Sequence, residues 1–311
     1  MLDPIPNKGD ALNPELTKVI ARSGYIAIVG RPNVGKSTLI NRLVAAKVSI
    51  TCSKPQTTRH RIMGILEWQD AQIVLIDTPG FQTTQKNPLN QLLNKTVQSA
   101  LSDADAVLMV IDGHGWTAGD DQIIKLLPTK KVVLLALNKI DAVKDRESML
   151  KLAQHASQIY PFKEIIPISA EKGQGIDTLL KLCAQQLPAG ERLFEADQIS
   201  DRSDRFLAAE LIREKLFRLT GDELPYTSTV VIDSFSEEGN LRRIHSTIMV
   251  ERAAHKAMIL GAKGERMKRI ASEARLDMER SFGGKVFLEV WIKVKTGWAD
   301  SEQTLRAYGY E

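Results

Sequence analysis

Cysteine is scarce: Cys52 and Cys183 are the only two in 311 residues, far apart and outside any CxxC pair. That excludes a disulfide framework and a cysteine-built zinc site. The five histidines form no pair at helical spacing, so no histidine metal site is written here either. Long apolar runs are missing too. Stretches such as Val132 to Leu137 have strand length and are far too short to span a bilayer. Met1-Leu2-Asp3-Pro4 lacks the basic-then-apolar layout of a secretory signal. The expectation is a soluble, cytoplasmic protein. Pro4, Pro6 and Pro14 interrupt residues 1–21, which read as an irregular leader with at most a short helix from Pro14 to Ala21.

What is present is ordinary globular material, 43% hydrophobic and 26% charged, in a chain long enough for two domains. The formal net charge is +4. Residues 1–190 hold 22 basic and 17 acidic side chains, and residues 191–311 hold 20 and 21. Inside that balanced second part, Arg242 to Arg280 carries ten basic residues against five acidic. Such a patch suits a polyanion, and it suits a solvated helix face equally well.

The most informative stretch is Gly30-Arg31-Pro32-Asn33-Val34-Gly35-Lys36-Ser37-Thr38, set between an apolar run, Tyr25 to Val29, and a helical pattern, Leu39 to Val44. Strand, glycine-bearing loop and helix are the context that G-x-x-x-x-G-K-[ST] requires. Gly30 and Gly35 let backbone N–H groups turn inward, and the helix N-terminus adds positive potential. Lys36 is expected to bridge the β- and γ-phosphates of a nucleotide, with the Ser37 hydroxyl on Mg²⁺.

Three more constellations follow at strand ends. Asp77-Thr78-Pro79-Gly80 offers a carboxylate that can hold Mg²⁺ through water and a Gly80 N–H for the γ-phosphate. In the polar loop before it, Thr58, with Thr57 as the alternative, can complete the Mg²⁺ shell. That loop, from Ile50 to Arg59, is expected to be exposed. Asn138-Lys139-Ile140-Asp141 selects the base, because guanine presents two parallel donors to one carboxylate while adenine presents a lone pair. Asn138 is expected to brace the loops and Lys139 to lie over the base. Ser169-Ala170-Glu171 can offer a backbone N–H to the guanine O6.

Between these motifs strands and helices alternate. The hairpin Ile62–Trp68 and Gln72–Ile76 comes first, then strands at 106–111, 132–137 and 164–168, with helices at 87–104, 120–127, 146–160 and 176–187. That is an α/β domain over 22–188, a mostly parallel six-stranded sheet with one antiparallel edge strand. Residues 189–204 read as a linker. The segment 205–311 then reads α-β-β-α-β, with a helix at 206–219, strands at 228–235, 241–250 and 286–294, and a helix at 265–282. Gly261-Ala262-Lys263-Gly264 is the loop before that last helix.

These motifs together resemble the Era GTPases. So do the run from Lys54 to Arg61, Glu-Leu-Pro-Tyr at Glu223 to Tyr226, and the stretch from Trp291 to Asp300. The resemblance covers the chain from about Ser23 to its end. It implies a P-loop GTPase domain followed by a type II KH domain, and a GTP-dependent factor for 30S assembly. The second domain is then expected to grip single-stranded RNA near the 3′ end of 16S ribosomal RNA, through Gly261, Ala262, Lys263, Gly264, Arg266, Lys268 and Arg269. GTP and GDP, Mg²⁺ and the 30S subunit are the expected partners, with no DNA, and a monomer is expected. Catalysis is assigned to Lys36, Thr58 and Gly80. Peripheral inner-membrane attachment is implied by the resemblance alone, for no lipidation motif supports it. A tRNA-modification or metal-transport GTPase would share the nucleotide loops, and the second domain argues against it. Phe81 follows Gly80, so no glutamine stands there to orient the attacking water, and Asn33 is compatible with a bound K⁺.

Overall fold

The computed structural model describes residues 19–308, except 53, 55, 56, 82–87, 222, 223 and 299–301. Most of the leader, Pro55, Gln56, Glu223, Ala299 and Asp300 therefore lie outside the described residues.

The first part is built on six strands: β1 (Arg22–Val29), β2 (Ile62–Trp68), β3 (Ala71–Asp77), β4 (Ala106–Asp112), β5 (Val132–Asn138) and β6 (Glu164–Pro167). Their order is β2-β3-β1-β4-β5-β6, with every neighbouring pair parallel except β2 and β3. The near-continuous apolar strands are explained by burial on both faces. Ile26 and Ile28 pack with α1 (Lys36–Val44) and α5 (Ile176–Gln185), whereas Ala27 and Val29 pack toward α2 (Pro88–Asp103), α3 (Ala118–Ile124) and α4 (Arg146–Ile159). In such a sheet the loops that gather a ligand leave the carboxyl ends of the strands.

The second part begins with α6 (Asp204–Leu219) and a short α7 (Leu224–Thr227). After them come β7 (Ser228–Glu238), β8 (Leu241–Val250), α8 (Ala253–Leu260), α9 (Glu265–Phe282), β9 (Lys285–Val294) and α10 (Glu302–Ala307). β7 pairs antiparallel and β9 parallel with β8, and α6 and α9 cover one face of this three-stranded sheet. The order is α-α-β-β-α-α-β-α, so the expected α-β-β-α-β lacks three helices, the short α7 and α10 and the longer α8. α8 was hidden because Ala253 to Leu260 has almost no polar side and only His255 and Ile259 are buried, which leaves little periodicity to read. The glycine loop consequently joins two helices.

Residues 189–204 are fastened to the edge of the first sheet. Ile65 N–H donates to Ile199 O at 2.9 Å, Arg192 pairs with Glu67 at 2.6 Å, and Gln72 Oε1 accepts from the N–H groups of Leu193 and Phe194. This strap caps β2, an edge that would otherwise offer unpaired backbone.

The described residues of the 50s loop, expected to be exposed, are all buried or half-buried. Ile50, Thr58 and Arg59 are buried, and α6 supplies the cover. Arg59 donates to Ser228 O at 3.0 Å and lies over the Phe217 ring, and Arg213 holds both Glu210 and the Thr57 carbonyl. Glu214 accepts Lys47 at 2.9 Å, and Lys215 meets Asp277 at 2.5 Å. Arg213 and Glu214 are thus turned inward against the first domain, Glu210 is held by Arg213 and Lys215 by Asp277 of α9, which is why these four are buried beside the apolar side of the helix. A second junction joins Trp298 to Leu89 and Leu93 of α2, with Leu305 beside them.

His60 is enclosed in this interface, edge-on to Phe206 at 5.1 Å. Burial lowers its pKa from 6.5 to about 4, opposed by Glu210 and assisted by Arg213, Arg202 and Arg59. Below pH 6.5 the unfolded chain takes up a proton that the folded chain refuses until about pH 4. Stability should therefore fall as pH drops through this window, by up to about 3 kcal/mol. Urea unfolding midpoints of the protein and of His60→Gln between pH 7 and 4 measure it. The substitution should flatten the slope.

Candidate nucleotide and RNA sites

The phosphate loop leaves β1 with Gly30 and closes onto α1 at Gly35, whose φ is +98°. A Cβ on Gly35 would meet Asn138 Nδ2 at 2.3 Å, so glycine is demanded by both backbone and neighbour. Asn33 also takes a positive φ, 66°, as Asn tolerates, and Val34 is buried beneath the loop. Lys36 folds its ammonium back on the carbonyls of Gly30 and Arg31, at 2.9 and 3.1 Å. Arg31 in turn meets Asp120 at 3.3 Å. A cavity of about 460 Å³ opens over Pro32, Lys36, Ser37, Thr38 and Gly80.

Three oxygens converge beside Lys36. Ser37 Oγ lies 2.9 Å from Thr58 Oγ1 and donates to Asp77 Oδ2 at 3.0 Å, and the second hydroxyl stands 3.5 Å from that carboxylate oxygen. Ser49 donates to the same oxygen at 2.8 Å. Asp77 Oδ1 is buried with no hydrogen-bond partner. Burial raises the Asp77 pKa, against Lys36 and the three hydroxyls. An orphaned carboxylate oxygen amid hydroxyls is a donor set that fits Mg²⁺. Of the two loop threonines Thr58 faces this cluster, whereas Thr57 turns its hydroxyl to the Lys54 carbonyl at 2.6 Å. Thr78 Oγ1 donates to Ile28 O at 2.8 Å and Pro79 is buried, which anchors the turn. Gly80 rests on Pro32, where a Cβ would come within 2.9 Å of the ring.

Burial lowers the Lys36 pKa from 10.5 to about 8, with Asp77 raising it and Arg31 lowering it further. Phosphate oxygens would raise it again on binding. Nucleotide affinity should therefore be full below pH 8 and decline above it, up to tenfold per pH unit, with proton uptake on binding. Calorimetry at pH 8.5 in buffers of different ionisation enthalpy reads that uptake directly.

Asn138 clamps two loops, donating to Val34 O at 2.8 Å and accepting from Ala170 N–H at 3.0 Å. Lys139, at φ +68°, reaches Asn33 O and Asp112, both at 2.8 Å. Asp112 is held near 2, for its hydrogen bonds from Lys139 and His114 outweigh burial. Asp141 is exposed at the mouth of the base side. Ser169 is buried and its hydroxyl accepts Lys172 N–H at 3.0 Å, shaping the turn that carries Ala170 and Glu171. Sequence reading missed Arg42, which reaches from α1 to the carbonyls of Ala170 and Glu171, and missed Asp112. Arg42 carries no sequence signal, whereas an acidic residue ending β4 was a readable one.

In the second domain Gly261 and Gly264 have φ of +69° and +79°, and Lys263 is left-handed at +49°. A Cβ on Gly264 would meet nothing within 4 Å, so the loop presents bare backbone to solvent at the N-terminus of α9. Ala262, Lys263, Arg266, Lys268 and Arg269 are exposed around it. Arg269 pairs with Glu273 at 2.7 Å, and Arg266 donates to Met258 O.

A phosphate cradle, a carboxylate–hydroxyl cation cluster and a base-reading loop, joined to a helix–glycine-loop–helix on a small sheet, define a P-loop GTPase carrying a KH domain. Residues 25–139 match the family model for 50S ribosome-binding GTPases, and residues 223–299 match the KH domain model. The chain is 47% identical to GTPase Era of Nitrosomonas eutropha, over 93% of its own length and 98% of that protein. It is 50% identical to GTPase Era of Yersinia pestis, over 92% and 95%. An Aquifex aeolicus Era variant bound to GDP and AlF4⁻ superposes with a TM-score of 0.89 at 39% identity, covering 93% of this chain and 99% of that one. Era in complex with MgGDPNP and nucleotides 1506–1542 of 16S ribosomal RNA superposes equally well. The chain belongs to the GTPase Era family.

Proposed function

We propose that this protein is a GTP-hydrolysing switch that captures the 3′ end of small-subunit ribosomal RNA during 30S assembly. The observation that carries this reading is the double junction between the domains. α6 encloses the 50s loop that carries Thr58, and Trp298 packs on α2, which follows the Gly80 turn. Whatever the γ-phosphate does to Thr58 and Gly80 therefore reaches the RNA-binding half through packed side chains. A relative that holds both MgGDPNP and the 16S fragment supports the choice of ligands.

In the mechanism the loop N–H groups and Lys36 bind the triphosphate, and Ser37, Thr58 and Asp77 would hold Mg²⁺. The ion, when bound, neutralises charge on the β- and γ-oxygens. Lys36 leaves the carbonyls of Gly30 and Arg31 for the phosphates, Thr58 closes the loop, and Gly80 N–H meets the γ-phosphate. Asn138, Lys139, Asp141 and the Ala170 N–H hold guanine. Asn33 would help to hold a K⁺ ion, which when bound would supply part of the charge stabilisation. Turnover in K⁺ should exceed turnover in Na⁺, and Asn33→Ala should erase the difference. The protein works as a cytoplasmic monomer. No helix among the described residues is long and apolar enough to cross a membrane.

Filter binding of a 3′-end oligonucleotide, to protein loaded with GDP or with a GTP analogue, tests the reading. RNA affinity should differ between the two states. Binding no better than to an unrelated oligonucleotide of equal length would sink it.

A further inference from the structure

Away from the nucleotide, the 50s loop, α2 and the strap enclose a cavity of about 270 Å³ that neither the nucleotide nor the glycine loop uses. We propose that this cavity, walled by Arg59, His60, Arg61, Lys95 and Arg202, is a second binding site, for a phosphoryl oxyanion. Its two remaining wall residues carry hydroxyls, and no carboxylate lines it. The volume equals roughly nine waters at about 30 Å³ each, enough for one oxyanion with part of its hydration.

Four permanent cations surround one small space, and the nearby acids offset them only in part, Glu210 acting on Arg59 as well as on Arg213. Asp103 is committed to Arg61 at 2.5 Å, Glu210 to Arg213, and Asp201 lies 3.6 Å from Arg202. Lys95 has no ion pair among the described residues, and Arg61 Nε is buried with no hydrogen-bond partner. That leaves the exposed Lys95 ammonium as an unspent donor, with the enclosed Arg61 Nε–H as a second one on another element. Arg202 is pinned by the Arg61 carbonyl, at 3.1 Å from its Nε, and lies over the Phe206 ring, so the wall is preformed. Guanidinium and ammonium groups with a free donor suit phosphate, whose several oxygens can accept from both at once. Burial is the main cause of the low His60 pKa, and Arg213, Arg202 and Arg59 add to it against Glu210. An anion seated here would tie together the loop that carries Thr58, the helix that follows Gly80, and the strap between the domains.

The phosphoryl group belongs either to a free phosphate ester or to an RNA backbone. The test uses full-length protein saturated with Mg²⁺ and a non-hydrolysable GTP analogue, so that the phosphate loop is filled. Inorganic phosphate is titrated at constant ionic strength, and arginine Nε–H resonances are followed by NMR. The Arg61 signal should shift saturably with millimolar phosphate. Lys95→Glu, an exposed substitution, should weaken that binding by about tenfold or more while analogue affinity stays unchanged. Shifts that follow chloride as well as phosphate, or that ignore Lys95→Glu, would overturn the site. In a second arm the protein is first saturated with single-stranded RNA. Loss of the phosphate response upholds the site with backbone phosphate as its occupant, and a retained response upholds it with a free phosphate ester.

Discussion

Replacing Asp141 by asparagine is expected to lower GTP affinity by about 10³- to 10⁴-fold, while ATP binding stays as poor as before. Guanine offers its N1–H and its N2 amino group side by side, and a carboxylate accepts both. A carboxamide keeps one acceptor and sets its NH₂ against one of these donors, which leaves polar groups unpaired in a desolvated contact. Sites built to read hydrogen bonds discriminate by about 10⁴–10⁵ on this basis. The same variant should gain affinity for xanthosine triphosphate, whose second carbonyl accepts from the new NH₂. Asp141 is exposed, so the fold has no reason to change. Calorimetry with the three nucleotides decides it. Asparagine binding GTP within threefold of the original protein would remove Asp141 from the base site.

The second large effect concerns the glycine loop. Ala262→Asp with Lys263→Asp should reduce binding of the 3′-end RNA to background, at least about 100-fold, with GTP-analogue affinity unchanged. Both side chains are exposed between Gly261 and Gly264, at the start of α9, where bare N–H groups and the helix dipole favour phosphate. Two carboxylates there oppose every phosphate that approaches, and one loop cation is lost. RNA affinity carries a strong electrostatic component, so the loss should be greatest at low salt. Unaltered RNA affinity in the double variant would assign the RNA to another surface.

Much of the nucleotide pocket was readable because its chemistry is local. Gly30 to Thr38 is one strand–loop–helix, Asp77 and Asn138 each end a strand whose apolar run can be seen in the sequence, and Ser169 lies two residues past another. The six strands and five helices of the first domain fall within a few residues of the expected bounds for the same reason. The choice of Thr58 over Thr57 was open in sequence. Adjacent residues point to opposite sides, and only the closed loop turns one hydroxyl to Ser37 and the other to Lys54. α8 went unseen because a helix with scarcely any buried side leaves no period.

The sequence alone determined the class of chemistry and the order of the domains, since both are written in short motifs whose spacing survives without knowing their neighbours. Only the tertiary structure decided that the 50s loop is enclosed. Arg213 and Glu214 on α6 are charged, yet they are buried against the backbone of Thr57 and Thr51, 156 and 163 residues earlier. A charged side chain carries no mark of whether water or a distant carbonyl will satisfy it. That is settled by which surfaces meet, and here the meeting surfaces are the ones that join the nucleotide to the RNA-binding half.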